Sequence, residues 1–307
     1  MDAERWRTIK LENGKFPADV ALVRRLIAAQ FPQWAGLPVT PAAHDGWDNW
    51  TFRLGDRMKV RLPSAEMYVA QADIEAAFLP RLAGQLPVTI PTPIALGQPG
   101  EGYPWRWTVY DWIEGAPATR ERVTDRDAFA ADIAGFLAAL QHIDTSGGPL
   151  AGQQNFHRGA PVAVYEADVQ RSLATLGDRI DQAGARDVWA AALGSTFAGP
   201  PVWLHGDIAV GNLLVTDGRL SAVIDFGTAA IGDPACDLVI AWTYFDGTSR
   251  EAFRRAMPVD EGLWVRARGW AIWKAMLILA NNNAVLSSEN PPETVIATVI
   301  AEQRAGR

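Results

Sequence analysis

Two short motifs constrain the fold of this chain more than any other feature of its sequence. They are HGDIAVGN at residues 205–212 and IDFG at residues 224–227. Together they hold an aspartate, an asparagine five residues later and a second aspartate thirteen residues beyond, at Asp207, Asn212 and Asp225. Short apolar runs flank both motifs and predict strands that end at them. We therefore expect the three side chains to converge at the ends of neighbouring strands.

The residue types at these positions indicate phosphoryl transfer. Protein kinases use an Asp, an Asn and a second Asp in the same order and at the same spacing. Asp207 is the predicted catalytic residue, which accepts a hydrogen bond from a substrate hydroxyl. Asn212 and Asp225 offer the hard oxygen ligands that Mg²⁺ prefers, and are the predicted metal ligands. The alternative interpretation is that the two motifs are ordinary turns. Against it, both motifs occur together at the order and spacing that kinases use. His205 is expected to brace the loop.

A nucleotide site of this type needs a cation on a strand and a carboxylate on the following helix. Arg61 lies in a predicted strand and Glu75 in the predicted helix after it. One cation is expected to reach the nucleotide phosphates while Glu75 holds it in place. Lys59 shares a strand face with Arg61 and is the alternative cation. Solvated surface charges would give the same pattern.

A complete glycine-rich phosphate loop is absent from the sequence. The turn at residues 44–50, HDGWDNW, is the only turn in the right place. Backbone N–H groups near its Gly46 are expected to cover the phosphates, with a plain hairpin turn as the alternative. A Walker A motif is also absent, because Gly14-Lys15 is followed by Phe16 and lacks the upstream glycine.

The pattern of apolar residues predicts an α+β protein with two lobes. Residues 1–113 are expected to form a small, strand-rich nucleotide-binding lobe, and residues 114–307 a larger, mainly helical lobe with the catalytic loop, metal site and acceptor site. Predicted elements of the first lobe are a leading helix at 16–30, strands at 50–54, 58–62, 92–96 and 106–112, and a helix from residue 66. Those of the second are helices at 125–142, 162–184, 186–197 and after Pro234, and strands at 202–204, 213–215 and 221–224.

Composition narrows the possible partners. The chain has 307 residues and a net charge of −7, and it contains no run of Lys and Arg suited to nucleic acid. Its apolar runs are too short to span a bilayer, and no signal peptide is expected. Cys236 is the only cysteine, which fits a reducing cytoplasm. We therefore expect a cytoplasmic protein that binds neither nucleic acid nor membrane.

At this point the sequence resembles the aminoglycoside phosphotransferase family, which consists of small-molecule kinases with a protein-kinase-like fold. The resemblance begins near residue 38 and rests on the segments 202–215, 222–238, 58–63 and 109–115, together with the Glu75 helix. It implies a bilobal fold, Mg²⁺ and ATP, with GTP possible as the donor. It also implies that the backbone of the hinge segment Tyr110 to Ile113, which includes Trp112, binds adenine, and that Asp237 braces the loop after IDFG.

The acceptor is the least constrained part of this prediction. The resemblance implies a hydroxylated and possibly cationic small molecule, with an aminoglycoside antibiotic as the first expectation. A macrolide, an amino alcohol, homoserine or a sugar is the alternative acceptor, and a catalytically inactive nucleotide-binding module is the alternative class of protein. The aromatic residues of the C-terminal helices are expected either in the core or in a wall that stacks on the acceptor: Trp242, Tyr244, Trp264, Trp270 and Trp273. Four acidic residues are candidate ligands for ammonium groups, with helix caps and solvated faces as the alternative: Asp246, Asp260, Glu261 and Glu289.

Overall fold

A computed structural model describes residues 3–42, 45–282 and 288–306. The chain forms two compact units, of which the first contains residues 1–84 and 90–114 and the second contains residues 85–89 and 115–307. The sequence assigned residues 85–89 to the first lobe. They belong to the second unit because Thr89 donates its N–H to Ser221 and accepts a hydrogen bond from the N–H of Val223.

The first unit contains a five-stranded antiparallel sheet in the order β1-β2-β3-β5-β4. Its strands are β1 (Val39–Pro41), β2 (Asn49–Leu54), β3 (Met58–Pro63), β4 (Pro93–Gly97) and β5 (Trp107–Asp111). The predicted β2–β3 hairpin is confirmed, and Gly55 in its turn has a φ of +59°, which glycine adopts without strain. Strands β2 and β3 mostly alternate buried and more exposed residues, and one face of the sheet lies on an apolar core.

Three helices accompany this sheet: α1 (Ala3–Glu12), α2 (Val20–Gln30) and α3 (Val69–Ala83). The leading helix predicted at residue 16 begins at Val20, because the Asp19 side chain accepts from the N–H of Leu22 and caps it. Its apolar face, with Leu26 and Ile27, packs into the core. Helix α1 was not predicted, since its apolar residues do not form a continuous stripe.

The second unit is mainly helical. Its helices are α4 (Arg126–His142), α5 (Glu166–Leu176), α6 (Gln182–Gly194), α7 (Ile240–Thr243), α8 (Gly247–Ala256), α9 (Glu261–Ala280) and α10 (Pro292–Arg304). Helix α9 is buried along most of its length and packs against α5, α6 and α10, as expected for a central helix. Within the described residues, no helix combines the length and apolar character needed to cross a bilayer.

The predicted break between residues 184 and 186 is wrong. Helix α5 ends at Leu176 because Gly177 adopts a φ of +52°, which is unfavourable for other residues. Helix α6 then begins at Gln182, where the Asp181 side chain accepts from the N–H of Gly184. Position 184, predicted as the end of one helix, is therefore inside the first turn of the next.

Short strands carry the two motifs. They are β6 (Ala116–Pro117), β7 (Val202–Leu204), β8 (Leu213–Thr216), β9 (Arg219–Val223) and β10 (Ala230–Gly232). Strands β6, β8 and β9 form one antiparallel sheet, and β7 pairs with β10 in another. The first motif follows β7 and leads into β8, while the second motif follows β9. The motif positions at strand ends are thus as predicted.

Candidate active site

The loop that contains Asp207 begins with a glycine that no other residue can replace without strain. Gly206 has a φ of +87°, and a Cβ at this position would lie 2.7 Å from the carbonyl oxygen of Thr228. The chain therefore passes close to the segment after the second motif. This close approach is one of the contacts that bring the two motifs together.

The buried side chain of Asp237 fixes the same loop. Its fully buried carboxylate accepts the N–H of His205 at 2.8 Å and the N–H of Gly206 at 2.7 Å. Burial raises the pKa of Asp237, and these two amides oppose that rise. The sequence placed Asp237 against the loop after IDFG. These hydrogen bonds instead connect it to the residues that immediately precede Asp207.

His205 braces the two motifs, as expected. Its Nε2–H donates to the carbonyl of Ile224 at 3.0 Å, and its Nδ1 accepts the N–H of Asp207 at 3.2 Å. Because a carbonyl only accepts, Nε2 carries the proton in this arrangement. The ring is fully buried and packs edge-on against Phe226, with centroids 4.6 Å apart. His205 therefore connects the loops and is not exposed to a substrate.

Asn212 holds the Asp207 side chain. Its Nδ2 donates to the backbone carbonyl of Asp207 at 2.9 Å and to the Oδ2 of Asp207 at 3.1 Å. The carbonyl of Asn212 accepts the N–H of Ile224 at 2.8 Å. Asp225 follows directly and has a φ of +68°, a left-handed conformation that is uncommon outside glycine. Hydrogen bonds thus connect Asp207 to Asn212, and Asn212 to Ile224, the residue that precedes Asp225.

The first unit contains the predicted cation and carboxylate pair. The Nη1 of Arg61 lies 3.2 Å and 3.3 Å from the two carboxylate oxygens of Glu75, which is 4% exposed. The hydroxyl of Tyr110 also donates to Glu75, and burial raises the pKa of this tyrosine well above its ordinary value. Arg61 is thus a strand cation that pairs with Glu75, as predicted for this strand and helix.

The segment expected to bind adenine is partly committed to the sheet. Tyr110 lies in β5, opposite Lys59 on one side and Pro93 on the other. The N–H of Trp112 donates to the carbonyl of Arg57 at 2.7 Å. The adenine contact of Tyr110 and Trp112 stays a prediction, and it would depend on backbone groups not used in these pairs.

The turn around Gly46 is tied to helix α1. The fully buried Nζ of Lys10 donates at 2.8 Å to the Asp45 carboxylate and to the carbonyls of Gly46 and Asn49. The same ammonium lies 3.8 Å from the centre of the Trp50 ring. His44, which was part of the predicted phosphate turn, lies outside the described residues. Sequence analysis did not identify Lys10 as part of this turn.

A comparison with protein-family models identifies the chain's relatives. Residues 39–274 match the model named APH, the phosphotransferase enzyme family. The chain belongs to this phosphotransferase family. The predicted family, and with it the assignment as a small-molecule kinase, is confirmed. A sequence search of curated proteins finds no significant match.

Solved structures share the fold of this phosphotransferase. A mutant of aminoglycoside 2'-phosphotransferase-IIIa in its GDP complex matches with a TM-score of 0.66 and 19% identity, over 94% of this chain and 98% of that one. The streptomycin–ATP complex of APH(2")-IIa matches with 0.59 and 17%, over 94% and 97%. The macrolide 2'-phosphotransferase MphH of Brachybacterium faecium matches with 0.60 and 20%, over 94% and 98%. The predicted α+β, protein-kinase-like fold is thus confirmed.

Two cations of the phosphotransferase lie beside Asp207, and sequence analysis identified neither. The Nζ of Lys274, on α9, is 3.4 Å from the Oδ1 of Asp207. Burial alone would raise the pKa of Asp207, but the positive charges of Lys274 and Arg158 outweigh it and hold the pKa below its ordinary value. Asp207 is therefore a carboxylate at neutral pH. A lone lysine in the apolar α9 was the one available signal.

The aromatic residues proposed for an acceptor wall lie in the core of the second unit. Trp270 and Trp273 are 2% and 5% exposed, and Tyr165 stacks on Trp273 with centroids 3.9 Å apart. Trp242, Trp264 and Tyr244 are also buried. The alternative of core packing is confirmed for all five residues.

Most of the acidic side chains considered as ammonium ligands have structural roles. Asp246 pairs with Arg126, and Asp260 caps α9. Glu261 pairs with Arg254 on the protein surface. Glu289 differs from these residues because it lies near both Lys274 and Asp207, and burial raises its pKa. Of the four, only Glu289 is found at the catalytic loop.

Proposed function

We propose that this phosphotransferase moves the γ-phosphoryl group of ATP to a hydroxyl group of a small molecule, with Mg²⁺ as the metal. The observation that carries the proposal is the set of hydrogen bonds that joins Asp207 to Asn212, and Asn212 to Ile224, the residue before Asp225. Phosphoryl transfer needs mainly positioning and charge stabilisation, and a cluster of rigid loops supplies the first of these.

Asp207 is the proposed catalytic residue. As a carboxylate it accepts a hydrogen bond from the acceptor hydroxyl and orients the oxygen toward phosphorus. A new P–O bond forms as the bond to the ADP oxygen breaks, and Asp207 takes the hydroxyl proton. The products are ADP and a phosphate monoester. The Asn212 hydrogen bonds keep the Asp207 side chain in one orientation before the substrate arrives.

Asn212 and Asp225 are the proposed ligands of Mg²⁺. The Nδ2 of Asn212 is used by Asp207, so its Oδ1 is the atom offered to a cation. An amide oxygen and a carboxylate are hard ligands, and a Mg²⁺ site of this kind is completed by phosphate oxygens and water. The donor set therefore fits Mg²⁺. When bound, the metal supplies positive charge that neutralises the phosphates.

In the first unit, Arg61 is the proposed contact of the nucleotide phosphates, held in place by Glu75. Backbone groups near Gly46 are proposed to cover the phosphates, and the segment from Tyr110 to Ile113 to bind adenine. Structural neighbours have been solved with ATP and with GDP. We propose ATP as the donor and GTP as the second nucleotide to test. The need for a nucleoside triphosphate fits a cytoplasmic location.

The acceptor is proposed to be a small hydroxylated molecule. The family resemblance points first to an aminoglycoside, and a role in antibiotic resistance would follow. Structural neighbours include phosphotransferases of both aminoglycosides and macrolides, so the fold alone favours neither class. The two cations beside Asp207 favour a second class, that of hydroxylated anions.

A turnover assay over an acceptor panel tests the proposal. The panel contains aminoglycosides, macrolides, sugars, amino alcohols and hydroxy acids, and ADP release is measured with ATP or GTP and Mg²⁺. We expect Asp207→Ala to lower turnover by about a thousandfold or more. The Asp187→Ala variant, which makes the same change at an exposed position of α6, is the control. Near wild-type turnover in Asp207→Ala contradicts the proposed role, and nucleotide binding without turnover on any acceptor favours an inactive module.

A further inference from the structure

Two positively charged side chains from distant parts of the second unit lie beside Asp207. Lys274 comes from α9, and its Nζ is 3.4 Å from the Oδ1 of Asp207. Arg158 precedes α5, and its Cβ is 3.1 Å from the position that a Cβ on Gly206 would occupy. The hydroxyl-binding side of the catalytic loop therefore has two neighbouring positive charges.

Arg158 is held in place by aromatic rings. Its guanidinium carbon lies 5.1 Å from the ring centre of Trp273, 5.4 Å from that of Trp270 and 6.0 Å from that of Tyr165. Its Nη1 donates to the hydroxyl of Tyr165 at 3.0 Å. Because these rings are packed in the core, the guanidinium has a fixed position at low entropic cost.

The backbone of Arg158 is fixed as well. The Nδ2 of Asn155, a fully buried side chain, donates to the carbonyl of Arg158 at 2.9 Å and to that of Thr228 at 3.3 Å. Arg158 is thus attached to the segment after the second motif. Between residues 3–42, 45–282 and 288–306, the structure shows no carboxylate in an ion pair with Arg158.

A guanidinium with this geometry is suited to a planar or tetrahedral anion. It offers several N–H donors in a fixed fork that matches a carboxylate or phosphate. Lys274 adds a flexible ammonium whose side chain is 28% exposed. A polycationic acceptor would have to bring its ammonium groups close to both cations, which Coulomb repulsion disfavours.

Glu289 is the nearby carboxylate that partly balances these charges. It accepts the N–H of Val210 and lies near Lys274 and Asp207. Burial raises its pKa, so its own negative charge is disfavoured. With Asp207 engaged by the acceptor hydroxyl, Arg158 has no carboxylate in an ion pair within the part of the chain that the structure describes.

We propose that Arg158 and Lys274 form an anion subsite for the acceptor, and that the acceptor is a hydroxylated small molecule carrying a carboxylate or a phosphate. The inference rests on the proposed phosphotransfer at Asp207 and specifies its substrate class. The anion binds at Arg158, with Lys274 beside it, while the hydroxyl faces Asp207. Aminoglycosides, which carry several ammonium groups, are then poor acceptors.

Matched acceptors of different charge test this proposal. One set consists of glucosamine, glucose, glucuronate and glucose 6-phosphate, and a second set of glycerol, glycerate and glycerol phosphate. Binding is measured by calorimetry, without nucleotide, and turnover by ADP release. We expect the anionic members to bind about 10- to 100-fold more tightly than their neutral counterparts, as charged hydrogen bonds allow. The carboxylate and phosphate members show which anion is preferred.

Variants assign the preference to the two cations. We expect Arg158→Gln and Lys274→Met to remove the preference for anions, and Lys274→Arg to restore most of it. Binding of the neutral members should change by less than about threefold. Arg255→Gln, which removes an exposed guanidinium from α8, is the charge-matched control. Circular dichroism and thermal melting of each variant separate lost binding from lost folding.

Three outcomes overturn the inference. Cationic or neutral members that bind as tightly as the anions contradict it, and so does a complete lack of binding by the anions. If Arg158→Gln loses turnover equally on neutral and anionic acceptors, the cations interact with the transferred phosphoryl group and not with the acceptor. Binding of ATP and Mg²⁺ is measured separately. If ATP and Mg²⁺ do not bind, the proposed phosphotransfer is wrong. Binding of the anionic acceptors without nucleotide still tests the subsite by itself.

Discussion

Asp237 provides a sharp test of how the catalytic loop is held. Its buried carboxylate accepts the two consecutive amides of His205 and Gly206, at 2.8 Å and 2.7 Å. The change Asp237→Asn keeps the size of the side chain and one acceptor oxygen. It replaces the second oxygen with an NH₂ group, which faces an amide N–H and cannot accept from it. One buried N–H is therefore left without an acceptor.

The expected cost follows from these two hydrogen bonds. A hydrogen bond to a charged group contributes about 1.5–3 kcal/mol, and an unsatisfied buried donor costs about 1–3 kcal/mol. Burial of the charged carboxylate is costly, as the raised pKa of Asp237 shows. The neutral Asn avoids this cost, which offsets part of the lost stability. We expect the free energy of unfolding to fall by about 2–3 kcal/mol. A loop displacement of about 1 Å would lower turnover about a hundredfold.

Urea denaturation followed by circular dichroism measures the stability, and ADP release with the best acceptor measures turnover. Asp217→Asn makes the same chemical change at an exposed turn residue with a φ of +51°, where Asn is well tolerated. It should leave both quantities unchanged. If Asp237→Asn is as stable and as active as the control, the carboxylate does not hold the loop and this reasoning is refuted.

Three further predictions concern packing and ionisation. Lys10→Met leaves the Asp45 carboxylate and two carbonyls without their ammonium donor. We expect the free energy of unfolding of the first unit, measured by urea denaturation, to fall by about 3 kcal/mol. Glu12→Gln on the same helix is the control and should leave this free energy unchanged. In Gly97→Ala the new Cβ would lie 2.0 Å from the buried Trp107 ring. Thermal melting should show that the protein loses about 1–3 kcal/mol or more of stability. An unchanged melting temperature would contradict this packing. All five tyrosines have a raised pKa, that of Tyr68 about 12, with burial as the main cause. The unfolded chain therefore loses these protons first, so stability should fall as pH rises above about 10, and tyrosinate absorbance at alkaline pH should appear together with unfolding.

The sequence was sufficient to predict the cluster around Asp207. Its residues lie in one stretch of the chain, and strand periodicity shows where the chain must turn. The Arg61–Glu75 pair was also predictable, because a strand and the helix after it have a limited set of arrangements. In both cases local order in the sequence corresponds to proximity in the fold.

Contacts between distant segments were not predictable in this way. Lys274 and Asp207 are 67 residues apart, and only the packing of α9 brings them together. Lys10 reaches the Gly46 turn from a helix whose sequence lacks an apolar stripe. The spacing of the aromatic residues in α9 is compatible both with packing in the core and with a wall that binds the acceptor. Their burial depends on tertiary packing, which periodicity does not determine.

The central claim is that Asp225 and Asn212 bind the metal–nucleotide complex while Asp207 acts on the acceptor. Calorimetry with ATP, with and without Mg²⁺, tests it most directly when Asp225→Asn and Asp207→Asn are compared. We expect Asp225→Asn to lose the Mg²⁺-dependent part of ATP binding. Asp207→Asn should bind ATP and Mg²⁺ like the wild type and lose turnover. Wild-type Mg²⁺-dependent binding in Asp225→Asn, or wild-type turnover in Asp207→Asn, would contradict the account.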